Sequence, residues 1–218
     1  MARTVITIAR QIGSDGDKIA ADLAQALGVQ LIERQIIEAA AKAADVSPEM
    51  MEQSEKAPSL LERMLEYLGA HGTGVDPIVE FPTQTIMTAG GFNPALTTDA
   101  YRALVEQVIR KTAEETDAVI VAHGSSIVLR EVPYVFRVLV CAPLRVRVQR
   151  LQEMLGYSAE EAEQDIREDD KTRAEYFQTY HKVNWINPAI YDLSINTGRL
   201  SIETAVELIV KAHREASL

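Results

Sequence analysis

Residues 5–20 have the sequence VITIARQIGSDGDKIA, and the rest of the chain is arranged around this segment. It begins with a β-branched run, continues through Gly13 and Gly16, and then places apolar residues at helical spacing as far as Gly28. This pattern predicts a strand, a glycine loop and a helix. Such a loop directs backbone N–H groups and a helix N-terminus toward one point that suits a phosphate. Plain turn chemistry explains the two glycines equally well.

The loop departs from the standard phosphate-loop pattern, G-x-x-x-x-G-K-[ST]. Aligned from the end of the predicted strand, Arg10 stands where the first glycine belongs and Gly16 where the lysine belongs. Asp17 stands at the hydroxyl position, and Lys18 comes one place late. The segment alone therefore leaves phosphate binding open.

Composition bounds the class of protein. The 218 residues fit one domain with a small insertion, and a net charge of −10 argues against a surface that coats nucleic acid. The single cysteine, Cys141, excludes a disulfide framework and is expected in the core. No secretory signal and no apolar run of about 20 residues is present, so we expect a cytoplasmic protein without a membrane segment.

Predicted strands alternate with helices along the chain. The strands are the N-terminal β-branched run and residues 29–32, 117–122, 134–141 and 191–196. Buried strands joined by helical crossovers predict an α/β fold, a five-stranded parallel sheet with helices on both faces. Ligands of such sheets bind at the carboxyl ends of the strands, where the Arg10–Lys18 loop and His123-Gly124 both fall.

Residues 45–98 do not fit the alternation. Helices are predicted to begin at Ser47 and Pro58. An apolar stripe between Leu60 and Leu68 predicts core packing or the interface of a homodimer, and a ligand site is the alternative. Residues 71–98 contain many glycines and prolines and predict irregular structure. We interpret them as a substrate-side segment, and an insertion without function is the alternative.

Four further motifs accompany the N-terminal loop. They are VIVAHG at 119–124, VLVCAPLR at 138–145 before a basic helix, DKxRxxY at 170–176, and YDLxINT at 191–197 before a helix capped by Ser201. Together these residues resemble the cytidylate kinase-like family, a branch of the P-loop nucleoside monophosphate kinases. The resemblance covers nearly the whole chain except residues 45–98.

The resemblance implies a fold and a reaction. The fold would be a single P-loop kinase-like domain over 1–218, a three-layer α/β/α sandwich with a helical and irregular insertion at 45–98 and a lid at 158–187. The reaction would transfer the γ-phosphoryl group of ATP to a nucleoside monophosphate of the CMP or dCMP type, with Mg²⁺. A nucleotide-binding sensor with little activity, or a kinase for another small acceptor, are the alternatives.

The resemblance also implies an ATP site in the N-terminal loop. The backbone N–H groups of Gly13, Ser14, Asp15, Gly16, Asp17 and Lys18 would cradle the phosphates. Lys18 or Arg10 would replace the missing loop lysine, and a solvated Lys18 is the alternative. Asp17 would bind Mg²⁺, or Asp15 and Asp17 would only favour the helix N-terminus electrostatically.

Catalytic cations are expected beyond the loop. Besides Lys18, the resemblance implies Arg167, Lys171 and Arg173 as lid cations that contact the transferring group. Surface pairs at i,i+4, Glu163–Arg167 and Asp169–Arg173, are the alternative for these residues. Three arginines of the basic helix are expected to coat its solvated face, namely Arg145, Arg147 and Arg150. Contact of one of them with the base or the phosphates of the nucleotide is the alternative.

The acceptor side is less well defined. The resemblance implies acceptor-binding roles for Arg34, Arg102, His123 and Asp192, and it suggests that Asp192 orients a lid arginine rather than acting as a base. His123 stands where the relatives that this chain resembles usually have arginine, and a structural histidine packed at the end of a strand is the alternative for it. Three aromatic residues would either stack on a base or pack the lid, namely Tyr176, Tyr180 and Trp185.

Overall fold

The computed structural model describes residues 3–44, 98–121 and 124–216. The predicted helices at Ser47 and Pro58, the Leu60–Leu68 stripe, the irregular segment up to residue 97, and His123 lie outside these residues. The extents of the insertion and of the lid stay predictions.

The chain divides into two compact units. The first comprises Met1–Glu33 and Ile109–Leu218, and the second comprises Arg34–Val108. In the second unit, helix α2 spans Arg34–Ala44 and buries Ile36, Ile37 and Ala40. Helix α3 spans Thr98–Glu115, and the boundary between the units falls within it.

The first unit contains a parallel sheet of five strands among the described residues, as predicted. In space the strands follow the order β2-β3-β1-β4-β5, which places β1 at the centre. Their bounds are Val5–Arg10 for β1, Gln30–Ile32 for β2, Ala118–Val121 for β3, Val135–Cys141 for β4 and Leu193–Asn196 for β5.

Helices cover both faces of this sheet. Helix α1 spans Gly16–Leu27 and α4 spans Ser125–Val128. Helix α5 spans Leu144–Leu155, α6 spans Ala159–Tyr176, and α7 spans Ile202–Ala216. A π-helical turn, Phe177–His181, and a 3₁₀ turn, Pro188–Ile190, connect α6 to β5.

Alternation along the strands builds a core on each face. Ile6 and Ile8 of β1 point into a cluster with residues of α1 and α7. On the opposite face, Leu139 of β4 packs with Ile127 of α4 and with Trp185. The result is the three-layer α/β/α arrangement that the sequence predicts.

Local signals place the helix ends. Gly28 ends α1 in the left-handed conformation at φ 67°, and Ser158 begins α6 with a capping box to Glu161, both as predicted. No helix in the described part of the chain combines the length and apolarity needed to cross a membrane.

Candidate active site at the carboxyl edge of the sheet

A five-residue loop, Gln11–Asp15, connects the central strand to α1. Gly13 and Asp15 both adopt the left-handed conformation, at φ 74° and 60°. Glycine tolerates this conformation freely, and aspartate does so more readily than most residues. Left-handed residues within a turn bring successive backbone N–H groups to one side and form a concavity that suits an anion.

The carbonyl groups of this loop accept hydrogen bonds from other groups of the protein. The carbonyl of Gln11 accepts from the Ser14 backbone N–H at 3.1 Å and from the Ser14 hydroxyl at 2.6 Å. The carbonyl of Ser14 accepts from the Thr197 hydroxyl at 2.8 Å. The carbonyl of Asp15 accepts from the backbone N–H of Ile19 at 3.0 Å.

Two arginines of α5 bind the remaining loop carbonyls. Arg147 Nε donates to Ile12 O at 2.9 Å, and Arg150 Nη1 donates to Gly13 O at 3.3 Å. All five carbonyls from Gln11 to Asp15 therefore have donors. By contrast, several backbone N–H groups have no acceptor among the described residues, namely those of Gly13, Asp15, Gly16, Asp17 and Lys18.

The expectation that Arg147 is solvated is wrong. Its side chain is 2% exposed, and its two terminal nitrogens donate to both carboxylate oxygens of Asp170 at 2.9 to 3.2 Å. Arg150 is also largely covered, since it binds Asp15 Oδ2 at 2.8 Å and the Thr197 carbonyl at 2.9 Å. Arg145 is exposed, as predicted.

One sequence signal could have identified Arg147. It lies three residues after Leu144 and four before Leu151, within the apolar stripe through which α5 packs on α6. A charged residue within such a stripe is buried, and it then needs a partner.

The cations of the loop are held by carboxylates. Arg10 forms ion pairs with Asp17 and, at 3.1 Å, with Glu33. Its side chain packs so closely on Gly16 that a Cβ there would lie 2.5 Å from Arg10 Cβ. Lys18 binds Asp15 at 2.8 Å, and its side chain is 64% exposed. The loop residues assigned to phosphate binding therefore do come together.

The donor set for a metal is limited. No cluster of three or more His, Cys, Asp or Glu side chains that could hold a metal ion exists among the described residues. The carboxylate of Asp17 lies in the first turn of α1, and its side chain is 62% exposed. A single accessible carboxylate fits Mg²⁺, which commonly keeps waters and takes further ligands from substrate phosphates.

The three predicted cations of α6 form pairs along their own helix, and two of them, Arg167 and Lys171, are exposed. Arg167 binds Glu163 at 2.6 Å, and Lys171 lies 3.9 Å from Glu175. Arg173 binds Asp169 at 2.8 Å, and its guanidinium lies 5.9 Å from the centre of the Trp185 ring. The two predicted i,i+4 pairs are thus present.

The aromatic residues after α6 pack together. Trp185 is buried and stacks on Phe177, with ring centroids 5.9 Å apart, so the packing alternative holds for it. Tyr176 contacts Tyr180 at a centroid distance of 5.2 Å. A Cβ on Gly124, which has φ 70°, would lie 3.4 Å from Phe177. This cluster therefore packs against the turn before α4.

Three of the four predicted acceptor residues lie within the described part of the chain, and each of them has an ion-pair partner. Arg34 and Arg102 belong to the second unit, where they pair with Glu38 at 3.5 Å and Glu106 at 3.7 Å. Asp192 precedes β5 and binds Arg137 of β4 at 2.7 and 2.9 Å. The expectation that Asp192 orients a lid arginine is therefore wrong.

Asp192 is also remote from the carboxyl ends of the strands, since it stands before β5 begins. Burial by itself would raise its pKa, but the hydrogen bonds and charge of Arg137 together hold that pKa below its ordinary value. This pairing is structural, and it does not support an acceptor-binding role for Asp192.

Comparison with known proteins identifies the family. The family model of the cytidylate kinase-like family matches residues 5–199, and the chain belongs to this family. A cytidylate kinase from Natronomonas pharaonis is 35% identical over 81 residues, which are 36% of this chain. The match spans 42% of that relative's length.

Solved structures share the fold at low sequence identity. An uncharacterized protein from Eubacterium ventriosum matches with a TM-score of 0.66 and 19% identity over 97% of this chain and 99% of that one. A shikimate kinase from Bacteroides thetaiotaomicron matches with a TM-score of 0.50 and 13% identity, over 96% and 98% of the two chains. These likenesses agree with the P-loop kinase fold predicted from the sequence.

Proposed function

We propose that this protein transfers the γ-phosphoryl group of ATP to a nucleoside monophosphate of the CMP or dCMP type, with Mg²⁺. Membership of the cytidylate kinase-like family supports a phosphotransferase. The relative named cytidylate kinase, matched over 81 residues, supports the choice of acceptor.

The loop from Gln11 to Asp15 carries this proposal. Its carbonyls are bound by donors of the fold, whereas five backbone N–H groups from Gly13 to Lys18 have no acceptor in the described residues. Unpaired N–H groups at the start of a helix attract an anion through hydrogen bonding and the helix dipole. A chain of phosphates supplies several acceptor oxygens at once.

Surface ion pairs of the type formed by Lys18, Arg167 and Lys171 contribute little to stability. Phosphate oxygens can therefore replace their carboxylate partners at low cost. We assign Lys18 to the bound phosphates, and Arg167, Lys171 and Arg173 to the transferring group. Mg²⁺ would neutralise phosphate charge, with Asp17 as its protein ligand.

In this reaction these groups position the phosphates and neutralise their charge. An oxygen of the acceptor monophosphate attacks the γ-phosphorus, the bond from that phosphorus to the β,γ-bridging oxygen breaks, and ADP leaves with the electron pair. The products are ADP and a nucleoside diphosphate, so the atoms balance without a further reactant.

Formation of ADP tests the proposal. The purified protein is incubated with ATP, Mg²⁺ and, separately, CMP, dCMP, UMP, AMP or GMP. We expect turnover with CMP or dCMP. Arg173→Ala should lower turnover far more than ATP affinity, and Arg145→Ala, which removes an exposed arginine, serves as the control. Absence of ADP above background with every monophosphate would refute the proposed acceptor class.

A second candidate function is a nucleotide sensor with little activity. This candidate is favoured by the ion pairs at the loop, because they occupy the cations that an enzyme would use on the phosphates. Arg10 is bound to Asp17, and both Lys18 and Arg150 are bound to Asp15. A sensor should bind ATP in equilibrium titrations and yet form no ADP with any small acceptor.

A further inference from the structure

Arg147 is the largest fully buried side chain among the described residues, although it carries a charge. Burial lowers the pKa of its guanidinium, and the charges of Asp170 and Asp169 counteract this shift. A buried cation is compatible with a stable fold only when its donors are satisfied by charge and hydrogen bonds.

The donors of Arg147 reach two separate segments. Nε binds the carbonyl of Ile12 in the phosphate-binding loop at 2.9 Å, a residue 135 positions away in the sequence. The two terminal nitrogens bind both oxygens of Asp170 on α6. The backbone of Arg147 also contacts the loop, since a Cβ on Gly13 would lie 2.9 Å from its carbonyl oxygen.

Asp170 lies among the cations of α6. Its neighbour Lys171 follows directly in the sequence, and its other neighbour, Asp169, binds Arg173 at 2.8 Å. A single guanidinium therefore connects the loop to the turn of α6 that carries two of the cations assigned to the transferring group.

We propose that Arg147 is a positioning residue for phosphoryl transfer, which holds Lys171 and Arg173 of α6 in register with the phosphate-binding loop. The proposal rests on the proposed function. A guanidinium is planar and rigid, so a bidentate contact allows little sliding of α6 past the loop. Displacement of a catalytic group by about 1 Å can cost on the order of 100-fold in rate.

Asp170→Asn tests the proposal with little change in size. The variant keeps one acceptor oxygen but loses the charge and the second oxygen of the bidentate contact. Glu168→Gln is the matched control, because it removes one exposed carboxylate from the same helix. We expect kcat to fall about 10- to 100-fold in Asp170→Asn. We also expect the dissociation constant of a fluorescent ATP analogue to change by less than about 3-fold, and Arg147→Lys to behave similarly.

A purely structural contact would give a different result. Asp170→Asn would then lower the free energy of unfolding while kcat stayed within about 2-fold of the control, and this outcome would overturn the proposal. The split between kcat and nucleotide affinity separates the two roles.

Hydrogen exchange provides a readout independent of turnover. ATP should slow amide exchange both in the loop and in residues 165–176 of the wild-type protein, and only in the loop of Asp170→Asn. Unchanged exchange of α6 in the wild type would overturn the proposal. A third outcome separates this proposal from the proposed function. If no monophosphate is phosphorylated, but ATP slows exchange of residues 165–176 in the wild type and not in Asp170→Asn, the positioning role of Arg147 is supported and the proposed acceptor class is refuted.

Discussion

Helices α5 and α6 both carry several cationic side chains, and they use them in opposite ways. On α5, Arg147 and Arg150 turn inward, where their side chains are 2% and 23% exposed. On α6, the side chains of Arg167 and Lys171 are 65% and 76% exposed and have carboxylate partners on their own helix.

The difference shows that environment, rather than residue type, divides structural cations from those available to a ligand. The donors of Arg147 and Arg150 bind backbone carbonyls of the loop, so releasing them would expose unsatisfied groups in the interior. The pairs of Arg167 and Lys171 are solvated and weak, so phosphate can compete for them. The first set shapes the loop, and the second contains the side chains that we propose contact the transferring phosphoryl group.

Arg147→Met removes the buried guanidinium of α5, and we expect it to have the largest effect on stability. It leaves the carbonyl of Ile12 without this donor and Asp170 without its bidentate partner. We expect the free energy of unfolding to fall by about 3–5 kcal/mol, measured by urea denaturation. Arg145→Met, at an exposed position of the same helix, should change it by about 0.5 kcal/mol or less. Equal losses in both variants would remove the distinction between buried and exposed arginines.

Gly13→Ala tests the contact between the loop and α5. The new methyl would meet Leu151 Cδ1 at 2.8 Å and the Arg147 carbonyl at 2.9 Å, at φ 74°. Gly28→Ala is the matched control, with φ 67° and no described atom within 4 Å of the new methyl. We expect a loss of about 1 kcal/mol in the control and about 1–3 kcal/mol more in Gly13→Ala, from urea denaturation. ATP binding should weaken only in Gly13→Ala, and similar behaviour of the two variants would contradict close packing at the loop.

Local patterns were sufficient to predict much of this fold. The β-branched run at Val5, the glycines of the loop and the cap at Ser158 each act within a few residues, and the strands and helices follow from them. The loop residues of the candidate site were predicted for the same reason, because they are neighbours in the sequence.

The contacts that local patterns missed are long-range. Arg147 meets Ile12 across 135 positions, and Arg137 meets Asp192 across 55. The sequence can suggest a partner for a helical arginine only three or four positions away on the same helix, whereas the partners of Arg147 lie on other elements. The position of Arg147 within an apolar stripe indicates burial, but it does not indicate which carbonyl and carboxylate would receive the charge.

Lys171→Ala tests whether an exposed cation of α6 contributes to catalysis without contributing to stability. Its side chain is 76% exposed, and Glu175 lies 3.9 Å away, so the free energy of unfolding should change by about 0.5 kcal/mol or less. If Lys171 contacts the transferring group, kcat should nonetheless fall by at least about 10-fold. Lys211→Ala, at an exposed position of α7, controls for loss of a surface charge. An unchanged kcat would mean that Lys171 and its solvated pair have no part in the reaction.

The smallest effect is expected at His213 of α7, a buried base whose ring packs edge-on against Phe136. Burial lowers the pKa of His213 below its ordinary value of 6.5, and the charge of Arg214 lowers it further. The folded protein therefore binds this proton less readily than the unfolded chain does. The resulting contribution to stability is complete above pH 6.5 and is lost as the pH falls through the lower, folded-state pKa. Urea denaturation at pH 7.5 and 5.5 should show a loss of stability on acidification that is smaller in His213→Gln than in the wild type. An equal loss of stability in the two proteins would mean that groups other than His213 cause the pH dependence.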